Sequence, residues 1–142
     1  ETLGALMAQC AAEHLSGEFD LVTWVPVSRK RRWKRGYDQA ELLARAVCRA
    51  WGVKPVALLR KTMNNPAQSG LKEDAARRAN VLGAYTAVDA ELVESGRRVL
   101  LIDDVCTTGA TLTECSKVLR EAGADAVVCA CVAHARRERD RR

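Results

Sequence analysis

The sequence predicts an α/β domain built around a mostly parallel sheet, and three observations carry that expectation. Segments with apolar residues at helical spacing alternate with short, uncharged, β-branched runs, the pattern of βαβ units. The run Val99–Ile102 contains no polar residue, as a central strand covered on both faces requires. A length of 142 residues at 48% apolar content makes one ordinary domain, able to bury roughly 68% of its unfolded surface without a metal or disulfide. That domain is expected over 1–135, followed by a basic tail over 136–142.

Along the chain, Leu3, Leu6, Met7, Cys10 and His14 recur at helical spacing and stop at Gly17. Leu21–Val27 reads as a buried strand with Pro26 near its end. Asp38-x-x-Glu41 is like a capping box, opening a helix whose one face holds Ala40, Leu43, Val47, Ala50 and Trp51, with Gly52 just past its end. Pro55 opens a short apolar stretch, Val56–Leu59. Residues 60–80 have no periodicity and gather Asn64, Asn65, Pro66, Gln68, Ser69 and Gly70; a loop of about twenty residues is uncommon in one domain and often functional. Val81–Val88 reads as a further strand with Gly83 as its weak point. After the central strand, Leu112, Cys115, Val118, Leu119 and Ala122 mark a helix ending at Gly123, and Ala126–Ala133 closes the chain pattern as a last buried strand.

The net charge of +5 is unevenly placed. Arg29, Lys30, Arg31, Arg32, Lys34 and Arg35 put six cations into seven positions; taking these six from the 23 basic residues leaves 17 against 18 acidic ones. One loop-sized segment therefore supplies the basic character, which points to a local anionic target, phosphate or nucleic acid. Trp33 within it leaves open a single-stranded nucleic-acid patch, because an aromatic among cations can stack on a base; a plain solvated face is the third reading. The five arginines over 136–142, set against Glu138 and Asp140, read as a solvated tail.

The longest apolar run has eight residues, where a membrane-spanning helix takes about 20, and the first thirty residues hold no charged segment followed by an apolar one. No membrane partner is expected, and a cytoplasmic, reducing location is. Cys10, Cys48, Cys106, Cys115, Cys129 and Cys131 form no Cys-x-x-Cys pair, so no zinc or thioredoxin-type site is indicated; all are expected as small buried hydrophobes, and Trp24 and Trp51 as core.

The chemistry concentrates in Val99–Thr111. A buried strand ends in Asp103 and Asp104, the loop Thr107-Thr108-Gly109-Ala110-Thr111 follows, and a helix starts at once. Ligands bind at the carboxyl ends of strands in open α/β sheets, and free amides at a helix start attract phosphate. Gly109 admits an anion close to the backbone and the threonines add hydroxyl donors. The carboxylates repel phosphate and want hydroxyls to accept from, or a divalent cation. A phosphate beside vicinal hydroxyls describes a ribose 5-phosphate.

These thirteen residues resemble the phosphoribosyl pyrophosphate (PRPP) motif of type I phosphoribosyltransferases. The wider pattern is similar to the ComF-like branch: Val25-Pro26-Val27, Arg35-Gly36-Tyr37-Asp38-Gln39-Ala40, Gln68-Ser69-Gly70-Leu71 and Arg77-Arg78-x-Asn80. The resemblance covers 18–135. It implies the type I phosphoribosyltransferase fold, a mostly parallel five-stranded sheet between helices with a small hood and a flexible loop. It implies that Asp103 and Asp104, the catalytic pair, hold the ribose hydroxyls and that Thr107, Thr108, Gly109, Ala110 and Thr111 hold the 5′-phosphate. Ser28–Gly36 would be the pyrophosphate loop, with Lys30 and Arg35 as contacts, and 60–80 the flexible loop, with Gln68 and Arg78. Mg²⁺ would ride on the diphosphate near the acidic pair, with no ligand set of its own.

The implied function is transfer of phosphoribosyl from PRPP to an unidentified acceptor, expected to be nitrogen, with release of pyrophosphate. The alternative is a catalytically silent module that senses PRPP or binds nucleic acid, linked to DNA uptake in competent bacteria, with single-stranded DNA as its partner. Where the hypoxanthine–guanine branch has an aspartate this chain has Thr107, which has no useful basicity. The oligomeric state stays open, a dimer included.

Overall fold

The computed structural model describes residues 2–15, 19–62, 75 and 81–135. In chain order these form α1 (Leu3–His14), β1 (Leu21–Trp24), α2 (Arg29–Arg35), α3 (Gln39–Trp51), β2 (Leu59–Lys61), β3 (Tyr85–Ala87), a 3₁₀ turn (Ala90–Leu92), β4 (Arg98–Cys106), α4 (Ala110–Glu121) and β5 (Ala126–His134).

The apolar run does what its composition requires. β4 is the middle strand of a parallel sheet ordered β1-β4-β5, with Leu101 opposite Thr23 on one side and Cys129 on the other. Val99, Leu100, Leu101 and Ile102 are all fully buried because alternate side chains feed two cores. Val99 and Leu101 pack with Cys115 and Leu119 of α4 and with Leu58, Tyr85 and Val93. Leu100 and Ile102 pack with Met7 of α1, Val47 and Cys48 of α3, and Val22 and Trp24 of β1. At about 1.5–3 kcal/mol for each large side chain taken from water, this strand is the structural axis that holds its own carboxyl end in place.

The helix ends follow their signals. Asp38 caps α3, its Oδ1 accepting from the Ala40 and Glu41 amides at 3.1 and 3.3 Å, and Gly52 ends it in a left-handed conformation at φ +69°. α1 and α3 approach closely at Gly4, where a Cβ would collide with the Ala46 methyl.

Four expectations are corrected. The basic run is a helix, α2, rather than a loop: Ser28 accepts from the Arg31 amide at its start, and Gly36 at φ +78° ends it. The first strand stops at Trp24; Val25 still donates to the Ile102 carbonyl at 2.9 Å, but Pro26 has no amide to continue the ladder. The expected strand Val81–Val88 shrinks to Tyr85–Ala87, which pairs antiparallel with β2 in a separate ribbon, Gly83 turning just ahead of it at φ +70°. Five strands are expected in one sheet; the described residues give three there, with Val56 donating to the Val22 carbonyl at 2.8 Å along the outer edge of β1.

Burial is corrected too. β5 is an edge strand among the described residues and no residue of it is buried. Cys10 and Cys129 are exposed, Cys106 and Cys131 half-buried, and only Cys48 and Cys115 fully buried. Ala50 faces solvent, and Trp51 is half-buried whereas Trp24 is core. No helix among the described residues is long and apolar enough to cross a membrane.

Candidate functional site

The carboxyl end of β4 delivers Asp103 to the floor of a cleft. The residue is 9% exposed, and its Oδ1 accepts from the Asp104 amide at 2.8 Å. Burial pushes its pKa up to about 7, with the Asp104 and Asp38 carboxylates adding to the rise. Asp104 is half-exposed, and its Oδ1 accepts from the Val105 amide at 2.8 Å. These short links to the backbone aim the two acids differently: one lies inward and poorly solvated, the other at the rim.

The cleft, about 180 Å³, is walled by Arg31 and Arg35 of α2, by Asp38, by Lys61 and Tyr85 of the β2–β3 ribbon, and floored by Asp103; Asp104 and Thr111 complete that side. Three cations and three carboxylates thus line one small polar space. Lys61 and Tyr85 are register partners, and the Lys61 Nζ lies 5.6 Å from the Tyr85 ring centre. Burial, then the nearby Arg31 charge, lowers the Lys61 pKa; burial raises that of the Tyr85 phenol. Two neighbouring cations, of which Lys61 is partly desolvated, are an arrangement that would favour a multiply charged anion.

Gly109 stands at the N-cap of α4 at φ +80°, with open space where a Cβ would be. It carries no side-chain cap; the Thr108 hydroxyl instead accepts from the Ala110 amide at 3.3 Å. Thr107 is exposed, while Thr108 and Ala110 line a neighbouring hollow with Val81 and Glu114, whose buried carboxylate accepts from the Gly83 amide at 3.1 Å.

Of the residues expected from sequence, Asp103, Asp104, Thr111 and Arg35 come together in one cleft. Lys30 is exposed on α2 and does not line it. Gln68, Arg78 and the tail 136–142 lie outside the described residues. Asp38, Lys61 and Tyr85 also line the cleft without having been expected there, and Arg31, within the expected Ser28–Gly36 segment but not singled out in it, lines it too. The spacing of Arg31 to Arg35, one helical turn, is a signal for Arg31 once α2 is taken as a helix. Lys61 and Tyr85 meet only through strand pairing across some twenty intervening residues, and nothing local marks them.

Among the described residues no group of three or more His, Cys, Asp or Glu side chains converges as a metal cage. The adjacent carboxylates of Asp103 and Asp104, in a cleft that also holds Arg31, Arg35 and Lys61, would suit a Mg²⁺ ion that arrives already held by phosphate oxygens.

Residues 34–142 match the family described as phosphoribosyl transferase domain. Competence protein F of Haemophilus influenzae is 36% identical over 104 residues, 72% of this chain and 45% of that protein. DNA utilization protein YhgH of Escherichia coli K12 is 32% identical over 117 residues, 80% of this chain and 48% of that protein. The chain thus spans about half the length of the curated relatives it matches. Among solved structures, the glutamine PRPP amidotransferase from B. subtilis, complexed with ADP and GMP, superposes with a TM-score of 0.60 at 29% identity, over 92% of this chain and 25% of that one.

Proposed function

We propose, on the premise that this chain belongs to the phosphoribosyltransferase domain family, in its ComF-like branch, that it binds PRPP and transfers its phosphoribosyl group to a nitrogen acceptor, releasing pyrophosphate. The observation that carries this reading is the single cleft in which Asp103 and Asp104 face Arg31, Arg35 and Lys61.

The acids would accept from the ribose 2′ and 3′ hydroxyls, and the turn Thr107–Thr111 would hold the 5′-phosphate on its amides and hydroxyls. The bond between C1 and the diphosphate oxygen breaks, the acceptor nitrogen bonds to C1, and the proton on that nitrogen passes to the departing pyrophosphate or to water. Positive charge develops on the sugar next to the carboxylates. Negative charge develops on the diphosphate next to Arg31, Arg35 and Lys61, where fixed cations stabilise it. Mg²⁺, bound with the diphosphate beside Asp103 and Asp104, would supply further neutralisation of the leaving group.

The test is to supply PRPP and Mg²⁺ with a panel of nitrogen acceptors and measure pyrophosphate. Acceptor-dependent release is expected. Tight PRPP binding with no release on any acceptor would reduce the protein to a PRPP-sensing module.

A second reading is favoured by one observation. Trp33 is 93% exposed in the middle of the cationic helix, where no packing explains it. An indole presented among cations is a stacking platform for single-stranded nucleic acid. The relatives named for competence and for DNA utilization support that reading. The two readings use different sides of α2 and are compatible.

A further inference from the structure

α2 has seven residues and buries none of them. A helix this short is not stable alone in water, and one with no buried face has no packing to set its rotation about its own axis. Yet Arg31 and Arg35 both line the cleft. Polar ties must therefore set which way the helix faces.

Among the described residues there is one such tie to a neighbouring helix. Arg32 Nη1 lies 2.9 Å from Glu41 Oε2, an ion pair that is not aligned as a hydrogen bond. The Arg32 side chain is half-exposed, but that of Glu41 is only 9% exposed. The other carboxylate oxygen, Oε1, accepts from Arg45 Nε at 3.1 Å and Nη2 at 2.7 Å, one turn further along α3. Arg45 thus holds Glu41 in one orientation, and Glu41 presents its remaining oxygen to α2. Arg32 is the residue next to Arg31, about 100° round the helix, so holding Arg32 against α3 turns Arg31 and Arg35 together toward Asp103.

We propose that Glu41 is a positioning residue that, through Arg32, aims the cationic face of α2 at the diphosphate. This rests on the PRPP reading above and adds to it a residue that touches neither substrate nor reacting atoms. An exposed ion pair would have little effect, but a carboxylate this buried is poorly solvated and holds its partners more firmly.

The test compares pyrophosphate with Mg²⁺ and ribose 5-phosphate as separate probes, by calorimetry, on the whole chain. In Glu41→Gln and in Arg32→Ala, the pyrophosphate Kd is expected to rise about tenfold while the ribose 5-phosphate Kd stays within about twofold. The double variant should be no weaker than either single one, because both break the same link. Arg45→Ala, which leaves the α2 contact in place, should have a smaller effect. Arg32 is half-exposed, so Arg32→Ala carries the test even if Glu41→Gln folds poorly. Equal loss for both probes would mean a general structural role and overturn the proposal. Unchanged pyrophosphate binding in both variants, with Arg31→Ala and Arg35→Ala weakened, would overturn it while the PRPP reading stands. If the unaltered chain binds neither probe, the PRPP reading fails and takes the proposal with it.

Discussion

Asp38 Oδ2 accepts a hydrogen bond from the Val27 amide at 3.0 Å, eleven residues back along the chain. Through that contact one buried carboxylate closes the segment that contains α2, while its other oxygen caps α3. Asp38→Ala should therefore lose a cap and a buried interaction together, and lower stability by about 2–3 kcal/mol. Asp38→Asn should fall between, since an amide still caps α3 but turns its nitrogen toward the Val27 amide. Chemical denaturation of the three proteins measures both.

The Gly4–Ala46 contact makes a packing prediction. Gly4→Ala raises helix propensity by about 1 kcal/mol, yet it should destabilise, because the new methyl collides with the Ala46 methyl and overpacking costs about 1–3 kcal/mol. Adding Ala46→Gly should restore most of the loss. A double variant as unstable as Gly4→Ala would show that the helices do not meet there.

Asp103 makes stability depend on pH. Its folded pKa, near 7, lies above the ordinary carboxylate value of 3.8, so the folded state holds a proton that the unfolded state has already released. Stability of the ligand-free protein should fall as pH rises from about 4 to 7. Asp103→Asn should flatten that fall and stabilise the protein at pH 8 by roughly 1–2 kcal/mol. Melting curves across this range that are parallel for the two proteins would remove the assignment.

Lys30 and Lys34 are exposed, one turn apart, and flank Trp33 on α2. If single-stranded DNA binds there, replacing both by Ala should make the slope of log affinity against log salt shallower by roughly 1.4. Trp33→Ala should weaken DNA binding by about 1–3 kcal/mol. PRPP affinity should be unchanged in both variants. Unchanged DNA affinity in Trp33→Ala would remove the stacking platform.

What the sequence made legible is what is local. Val99–Thr111 carries a buried strand, two acids and a glycine turn in thirteen consecutive residues, so the centre of the sheet and the floor of the cleft could be read directly. α2 was not legible as a helix because its residues have no apolar period. Its signals were Ser28 and Gly36 at its ends and the good helix propensity of Arg and Lys, and the charge pattern hid them. Read as a loop, the segment put Lys30 beside Arg35 as expected anion contacts, whereas in the helix it is Arg31, one turn from Arg35, that lines the cleft with it. Lys61 and Tyr85 were illegible for another reason: pairing between distant strands brings them to the cleft. β5 looks buried by composition, but its exposure depends on what covers the sheet edge, which its own residues do not state.

On the proposed reading, Asp103 and Asp104 hold the ribose of PRPP while the cations of α2 and Lys61 hold its diphosphate. The most direct measurement is titration calorimetry of PRPP with Mg²⁺ on the unaltered chain and on Asp103→Asn with Asp104→Asn. Each neutral amide loses charge-assisted acceptance from a ribose hydroxyl, about 1.5–3 kcal/mol. The unaltered chain should bind, and the double variant should lose roughly a hundredfold or more in affinity with its fold intact by circular dichroism. Equal affinity in the two proteins would contradict that reading.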